Sequence, residues 1–440
     1  MRLEQVTAKK NKPIYKEIGK SMPKITIKEV DKTTSASGSY SSFAVVVPGF
    51  VSATKSNIFD ENGVAEISDQ DVFEKEIGKE AQGETGTLGN QIAYELLGLG
   101  YTVLFKKMDN IADIDDYNKF WAALEDKANY DFRYICTGLI KNNADANKAI
   151  CKLASTRGDC IALLDIADSV YDTGKTQSAN ITAIVSDIST NFSDANKYSA
   201  IFAPTVTYDR AKDKVYQNNT LPGSFHYLVC AAEAFESYAE WFAVAGYTRG
   251  VSSEYKVLST EVKFGEAAIN ALEPRYTDTT SPAKAVNLIV KIKNAYYLWG
   301  NRTAHALETV DATAGTGDLK ASHFLNIRQL CTTLKKQLYV NCRRFTFDPN
   351  SDVLWINFVN AIEPLLQKMQ ANQGIEDYQI IKVKSSQKAK FGAIIRIVPI
   401  EAVEDFDLTI TLEDSISGTS VTVVEEKEDS STSTSETVSE

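Results

Sequence analysis

From Thr87 to Asp209 the chain alternates helical and extended periodicities, and that alternation limits the fold more than any single motif. LGNQIAYELLGLG sets Ile92, Leu96 and Leu97 on one helical face and stops at glycine, and YTVLFKKM follows as a strand. YNKFWAALEDKA reads as a helix before the strand YDFRYICTGL, and ANKAICKLASTRG as a helix before the strongly apolar strand CIALLDIA. NITAIVSDIS is a further helix, and YSAIFAPTVTYD a strand ending in a loop. Strands recurring with helices between them imply a sheet with helices packed on its faces. Upstream, FAVVVPGF is an unbroken apolar run ended by Pro48 and Gly49, hence a buried strand with a turn, while residues 60 to 88 read as loops and a short helix. Two helices are expected later, PGSFHYLVCAAEAFESYAEWF, with Pro222 near its start, and SPAKAVNLIVKIKNAYYLW.

The last third is patterned differently. The long amphipathic segment ASHFLNIRQLCTTLKKQLYVNCRRFTF leads through a DPN turn to a second helix, SDVLWINFVNAIEPLLQKMQANQG, with Ser351 as cap and Gly374 as stop. Three strands are expected next, YQIIKVKS, FGAIIRIVPI and FDLTITLED, and in the last Leu408, Ile410 and Leu412 alternate with Thr409 and Thr411. The fold class is therefore α/β plus α+β, a helix-flanked sheet domain joined to a C-terminal α+β domain. Near the start PKITIKEVD reads as a short strand carrying Ile25, Ile27 and Val30, whereas EEKEDSSTSTSETVSE at the end cannot bury a core and is expected to be disordered.

Charge is informative once located. The formal net charge is -11, and residues 401 to 440 alone hold twelve acids against Lys427. The preceding 400 residues therefore balance, and within them the first 32 carry nine bases and four acids. Oppositely charged ends are either merely solvated or meet between subunits, where complementary potentials guide encounter and register. A neutral body with an acidic tail argues against a nucleic-acid footprint. No apolar run is long enough to span a bilayer and the N-terminus lacks the apolar core of a secretory signal, so synthesis in the cytoplasm is expected.

Chemistry is sparse. SVYDTGKT places Gly174, Lys175 and Thr176 after an apolar strand, where a phosphate-binding loop would sit, but its first glycine is replaced by Ser169. Asp165, Asp168 and Asp172 end the same strand; they could converge on a metal or act as acid and base, but aspartates there more often bond local amides. His226, His305 and His323 share no short motif with a nucleophile or carboxylate. Cys136, Cys151, Cys160, Cys230, Cys331 and Cys342 form no CxxC pair and are expected to be reduced. Trp241, Trp299, Trp355 and the tyrosines interleave with apolar residues, which points to core or subunit packing. No catalytic, cofactor or metal residue is assigned.

Several ordered segments, running over about residues 23 to 414, resemble contractile tail sheath proteins. LGNQIAYELLGLGYTVLFKK is similar to the helix, glycine and strand that open their α/β part, and RGDCIALLD to their second strand. EWFAVAGYTRG, with Trp241, Ala245 and Gly246, is similar to another segment. Most specific is LWGNRTA, with Trp299, Gly300, Asn301, Arg302 and Thr303, followed by the NIRQL helix with Asn326, Ile327 and Arg328, the FTFDPN turn and the IVPIEAVEDFDLTITLE strand pair. The acidic C-terminal extension departs from the family.

The resemblance implies a non-enzymatic structural subunit that polymerises with copies of itself around an inner tail tube protein, between baseplate and tail terminator proteins. Contraction would drive the tube through a target envelope, in a virion tail assembled in the host bacterial cytoplasm or in a related contractile injection system; in a bacteriophage it would serve viral genome ejection. It also implies extended N- and C-terminal arms that add strands to a neighbour's sheet, with Ile25, Ile27, Val30, Leu408, Ile410 and Leu412 as anchors. The expected division is a basic arm at 1–22, N-terminal strands at 23–85 packing with the C-terminal domain, an α/β domain at 86–270, an α+β sheath domain at 271–415 and an acidic tail at 416–440. A P-loop-like nucleotide-binding protein and a non-contractile virion or surface-layer protein stand as alternatives.

Overall fold

A computed structural model describes residues 44–51, 58–78, 87–108, 121–138, 144–209, 219–275, 282–308, 319–384 and 388–403. Its main feature is an eight-stranded sheet in the order β11-β10-β6-β5-β4-β1-β3-β2. The strands are β1 (Ala44–Gly49), β2 (Val64–Ile67), β3 (Thr102–Lys107), β4 (Tyr134–Cys136), β5 (Ile161–Asp165), β6 (Ser199–Ala203), β10 (Asn287–Ile292) and β11 (Ala295–Leu298). The six from β10 to β3 inclusive are parallel, and β2 and β11 close the two edges antiparallel to their neighbours.

Helices cover both faces, which is why the central strands read as unbroken apolar runs. On β1, Ala44 and Val46 join one core with α3 (Ala144–Arg157), α4 (Gln177–Asn191) and α7 (Glu266–Leu272). Val45 and Val47 face the other, with α1 (Gln70–Glu76), α2 (Thr87–Gly98) and α5 (Gly223–Ser237). Helix α2 lies so close to β1 that a Cβ on Gly89 would stand 1.9 Å from the Pro48 carbonyl oxygen. The short helix α6 (Gly246–Arg249) follows α5.

The mixed α/β character agrees with the periodicities, but four details differ. The segment 281–299 is not a helix: it is the hairpin β10–β11, with Lys293 at φ 54 in its tight turn. The 3.6-residue reading lost there to β-branched and aromatic residues of VNLIVKI and AYYL, which suit a pleated surface. The expected strand 198–209 divides into β6 and β7 (Val206–Tyr208), the latter pairing with β8 (Thr220–Leu221) and β9 (Val257–Thr260). The stretch read as loops contains β2. Finally, β1 pairs with β3 and β4 at the middle of the sheet, and β10 and β11 extend it, so the sheet draws strands from both sides of the 86–270 segment.

Beyond the sheet come α8 (Leu325–Arg344) and α9 (Asp352–Ala371), then the two-stranded sheet of β12 (Ile375–Val383) and β13 (Gly392–Pro399). The Ser351 hydroxyl caps α9, accepting from the Leu354 amide. Leu330, Leu334 and Leu338 of α8 pack with Phe358, Ile362, Leu366 and Met369 of α9 and with Ile375 and Ile397. These residues, with Trp241, form a third core. Residues Ala44 to Ala402 belong to one compact unit and Val403 onward to a second, of which only Val403 is described.

Candidate functional site

The WGNRT segment is a strap between β11 and α8. Gly300 is required by close approach, because a Cβ there would lie 2.6 Å from the Asn287 Cα. That contact lets the Asn287 side chain clamp the strap: its Oδ1 accepts from the Arg302 amide at 2.7 Å, and its Nδ2 donates to the carbonyls of Arg302 at 2.8 Å and Ile201 at 3.0 Å. The Ala304 amide then donates to the Ser199 carbonyl at 2.7 Å, fixing the strap to the start of β6.

The next side chains reach the entrance of α8. Asn301 and Asn326 bond reciprocally: Asn301 Nδ2 donates to Asn326 Oδ1 at 2.8 Å, and the Asn326 amide donates to Asn301 Oδ1 at 3.1 Å. Asn326 Nδ2 also donates to the Trp241 carbonyl at 3.1 Å. Arg302, 3% exposed, sets its guanidinium 4.8 Å over the Phe324 ring with Nε 3.5 Å from Glu273. The Thr303 hydroxyl donates to the Ser322 carbonyl at 2.7 Å. Only Trp299 is less enclosed; it meets Tyr247 edge-on at 5.2 Å.

Helix α8 continues this polar joint along the amino ends of the parallel strands. Leu330, Leu334 and Leu338 supply its apolar stripe, and a neighbouring stripe is polar yet buried: Arg328, Gln329, Thr332, Thr333, Lys335 and Lys336. Before β4, Arg133 Nη2 donates to Glu240 at 2.5 Å and to the Thr333 hydroxyl at 2.6 Å, and Thr333 donates to the same Glu240 oxygen at 2.6 Å. Tyr134 OH donates to Gln329 Oε1 at 3.1 Å, and Lys336 bonds Asp131. Before β5, the Gly158 carbonyl accepts from Lys335 at 2.8 Å; before β6, the Tyr198 ring lies under Arg328 at 4.8 Å and Lys335 at 5.0 Å.

The motif residues thus meet as a buried structural joint, and nothing in their donor set resembles catalysis. Sequence reasoning picked out the strap and Asn326 but missed Asn287, Glu273, Arg133 and Glu240. The available signal for Asn287 was one amide inside the apolar run AVNLIV.

The phosphate-loop candidate does not form a cradle. The Gly174 amide donates to Asp172 Oδ1 at 2.9 Å, and Lys175 lies 3.4 Å from the same carboxylate. The amide and ammonium that would bind a phosphate are thus engaged by the chain's own carboxylate. Thr176 caps α4, accepting from the Ala179 amide.

Nor do the three aspartates converge. Asp165 is half-buried and accepts from the Ser224 amide at 2.7 Å and from the Ser224 hydroxyl, while Asp168 bonds Thr205. Desolvation, only partly offset by Ser224, pushes the Asp165 carboxyl up to about 7. A carboxyl raised in the folded state makes the fold bind more protons than the unfolded chain. Its contribution is complete below about pH 4 and is lost as pH rises to about 7. Allowing for solvent at the half-buried side, the swing is about 1–2 kcal/mol. Asp165→Asn should flatten the pH 4–7 stability profile in urea melts; a mutant profile parallel to wild type would sink this reading.

Burial pushes His226 down to about 4, and His226 Nδ1 lies 3.0 Å from Tyr208 OH. His305 and His323 stack with ring centres 4.5 Å apart. All six cysteines are free, four of them buried. Among the described residues no group of three or more His, Cys, Asp or Glu is placed to hold a metal ion, and no helix is long and apolar enough to cross a membrane. Ile25, Ile27, Val30, Leu408, Ile410 and Leu412, the expected arm anchors, lie outside the described residues.

Over about nine-tenths of its length this chain shares its fold with sheath proteins of contractile injection systems. It is similar to a chain of the contracted PVC sheath complex, an extracellular contractile injection system, with TM-score 0.60 and 16% identity over 90% of this chain and 98% of that one. A chain of the contracted anti-feeding prophage helical sheath matches with TM-score 0.58 and 15% identity over 89% and 99%, and one from that prophage's baseplate with 0.58 and 14% over the same shares. No family model matches the sequence, and no curated protein matches it.

Proposed function

We propose that this chain is a structural subunit of a contractile sheath, which assembles with copies of itself around an inner tube and acts by rearrangement of subunits rather than by turnover. The observation that carries this reading is the shared fold along nearly the whole length of both chains in the contracted PVC and anti-feeding prophage sheaths. A buried, directional joint, with no metal-binding cluster among the described residues, supports a mechanical role. Baseplate, inner tube and tail terminator are the proposed partners, and a phage tail or an injection device the proposed setting.

The proposed arms have a receiving surface of the right kind. Among the described residues, β12 and β13 pair only with each other, so their outer edges carry unpaired backbone groups. Two-stranded sheets are marginal in isolation and added strands complete them. Residues 23–31 with Ile25, Ile27 and Val30, and 406–414 with Leu408, Ile410 and Leu412, are the proposed donors.

Expression of the chain with its tube protein should give tubes in negative-stain micrographs, with long narrow and short wide forms. Removing residues 1–32 should abolish tubes while leaving a folded monomer. Persistent monomer with the tube protein present, or normal tubes from the truncated chain, would count against the assembly and arm readings respectively.

A further inference from the structure

From Tyr378 to Ile400 the chain carries five bases, Lys382, Lys384, Lys388, Lys390 and Arg396, and no acid. All five are exposed. Four bracket the β12–β13 turn, since Val383 pairs with Gly392 and Lys382 with Ala393. Asn350 anchors this tip to the loop between α8 and α9, donating from Nδ2 to the carbonyls of Lys388 at 2.8 Å and Lys390 at 3.3 Å. Two exposed acids belong to that region: Asp348, and Asp352, which bonds Lys382 at 2.6 Å. Arg343 and Arg344, also exposed, stand before the loop, so the basic excess persists.

Isolated surface lysines are solvated and contribute little. These stand out because the complementary charge lies on another part of the chain. All the net negative charge is in residues 401–440, and Glu425 to Glu440 hold six acids, one lysine and mostly serine and threonine otherwise. Such a segment offers carboxylates and almost no apolar surface, so it can bind only where cations are dense. Its reach is ample: residues after Val403 could extend on the order of 120 Å at about 3.3 Å each, whereas a globule of about 400 residues is on the order of 50 Å across.

We propose that the acidic segment Glu425–Glu440 of one copy docks on the lysine tip of the β12–β13 hairpin of a neighbouring copy; this rests on the sheath reading. Each copy then carries one donor and one receptor of opposite charge, a head-to-tail arrangement that propagates along a lattice. Docking onto its own tip would neutralise both charges within one subunit and leave nothing to steer the next.

The test mixes 14N- and 15N-labelled full-length protein under assembly conditions, cross-links lysine to carboxylate with a zero-length carbodiimide, and identifies the pairs by mass spectrometry. Mixed-isotope pairs joining Lys384, Lys388 or Lys390 to Glu425, Glu426, Glu428 or Asp429 are expected, falling at least about fivefold between about 0.05 and 0.5 M salt. Substituting the three lysines by glutamine, or the four acids by their amides, should each raise the assembly concentration severalfold, and combining the sets should add little. Unchanged circular-dichroism melts of the variants exclude misfolding as the cause. Pairs of a single isotope only, no such pairs, or additive effects of the two sets would overturn the proposal. Tubes without these pairs would reject the docking and leave the sheath reading standing; these pairs without tubes would reject the sheath reading instead.

Discussion

Asn287→Leu should cost the fold about 3–5 kcal/mol, read as a fall in the urea midpoint of the unassembled chain. The estimate follows from what the amide holds: the Arg302 amide and carbonyl and the Ile201 carbonyl, all within 3.0 Å. Asn287 has no measurable exposure, so water cannot replace it, and each orphaned buried group costs about 1–3 kcal/mol. Asn287→Asp is a useful companion, since a carboxylate can accept from the Arg302 amide but cannot donate to either carbonyl. It should be nearly as damaging as leucine. A loss under about 1 kcal/mol in the leucine variant would show that the strap does not depend on this clamp.

Arg133→Ala comes next in size, at about 3–5 kcal/mol, because it strips the cation from a pair whose side chains are 0% and 14% exposed. Glu240 would retain the Thr333 hydroxyl but lose its countercharge. The diagnostic experiment is the double variant Arg133→Met/Glu240→Leu, which removes both charges and keeps volume. It should be less damaging than Arg133→Ala, giving a coupling of about 2 kcal/mol in the corresponding cycle. If the single and double losses simply added, the pair would not be the unit that locks α8 to the sheet.

The layers were legible where one physical signal dominated. FAVVVPGF read as a buried strand, and the structure puts β1 between β3 and β4 with alternate residues in two cores. Periodicity and the Ser351 cap located α9. Residues 281–299 misled because Leu288, Ile289, Val290 and Ile292 fit either a buried helix or a strand apolar on both faces. The strap stood out only through its resemblance to contractile tail sheath proteins, and its structural meaning was not legible. Asn287, Arg302 and Asn326 meet only after β10 and β11 have turned back, and Arg133 reaches Thr333 across 200 positions. Pairings at that separation leave no local pattern.

The polar stripe of α8 has a mechanical consequence. Leucines sliding over leucines meet similar surface at each step, so an apolar joint yields gradually under load. The bonds from Gln329, Thr333, Lys335 and Lys336 are directional, and advancing the helix by one residue, a rise of about 1.5 Å with a turn of about 100°, would part every donor from its acceptor at once. The joint has one seat and no neighbouring one. Force carried along α8 therefore reaches the sheet without creep, whereas the apolar core that joins α8 to α9 and the hairpin is the more compliant side of the helix.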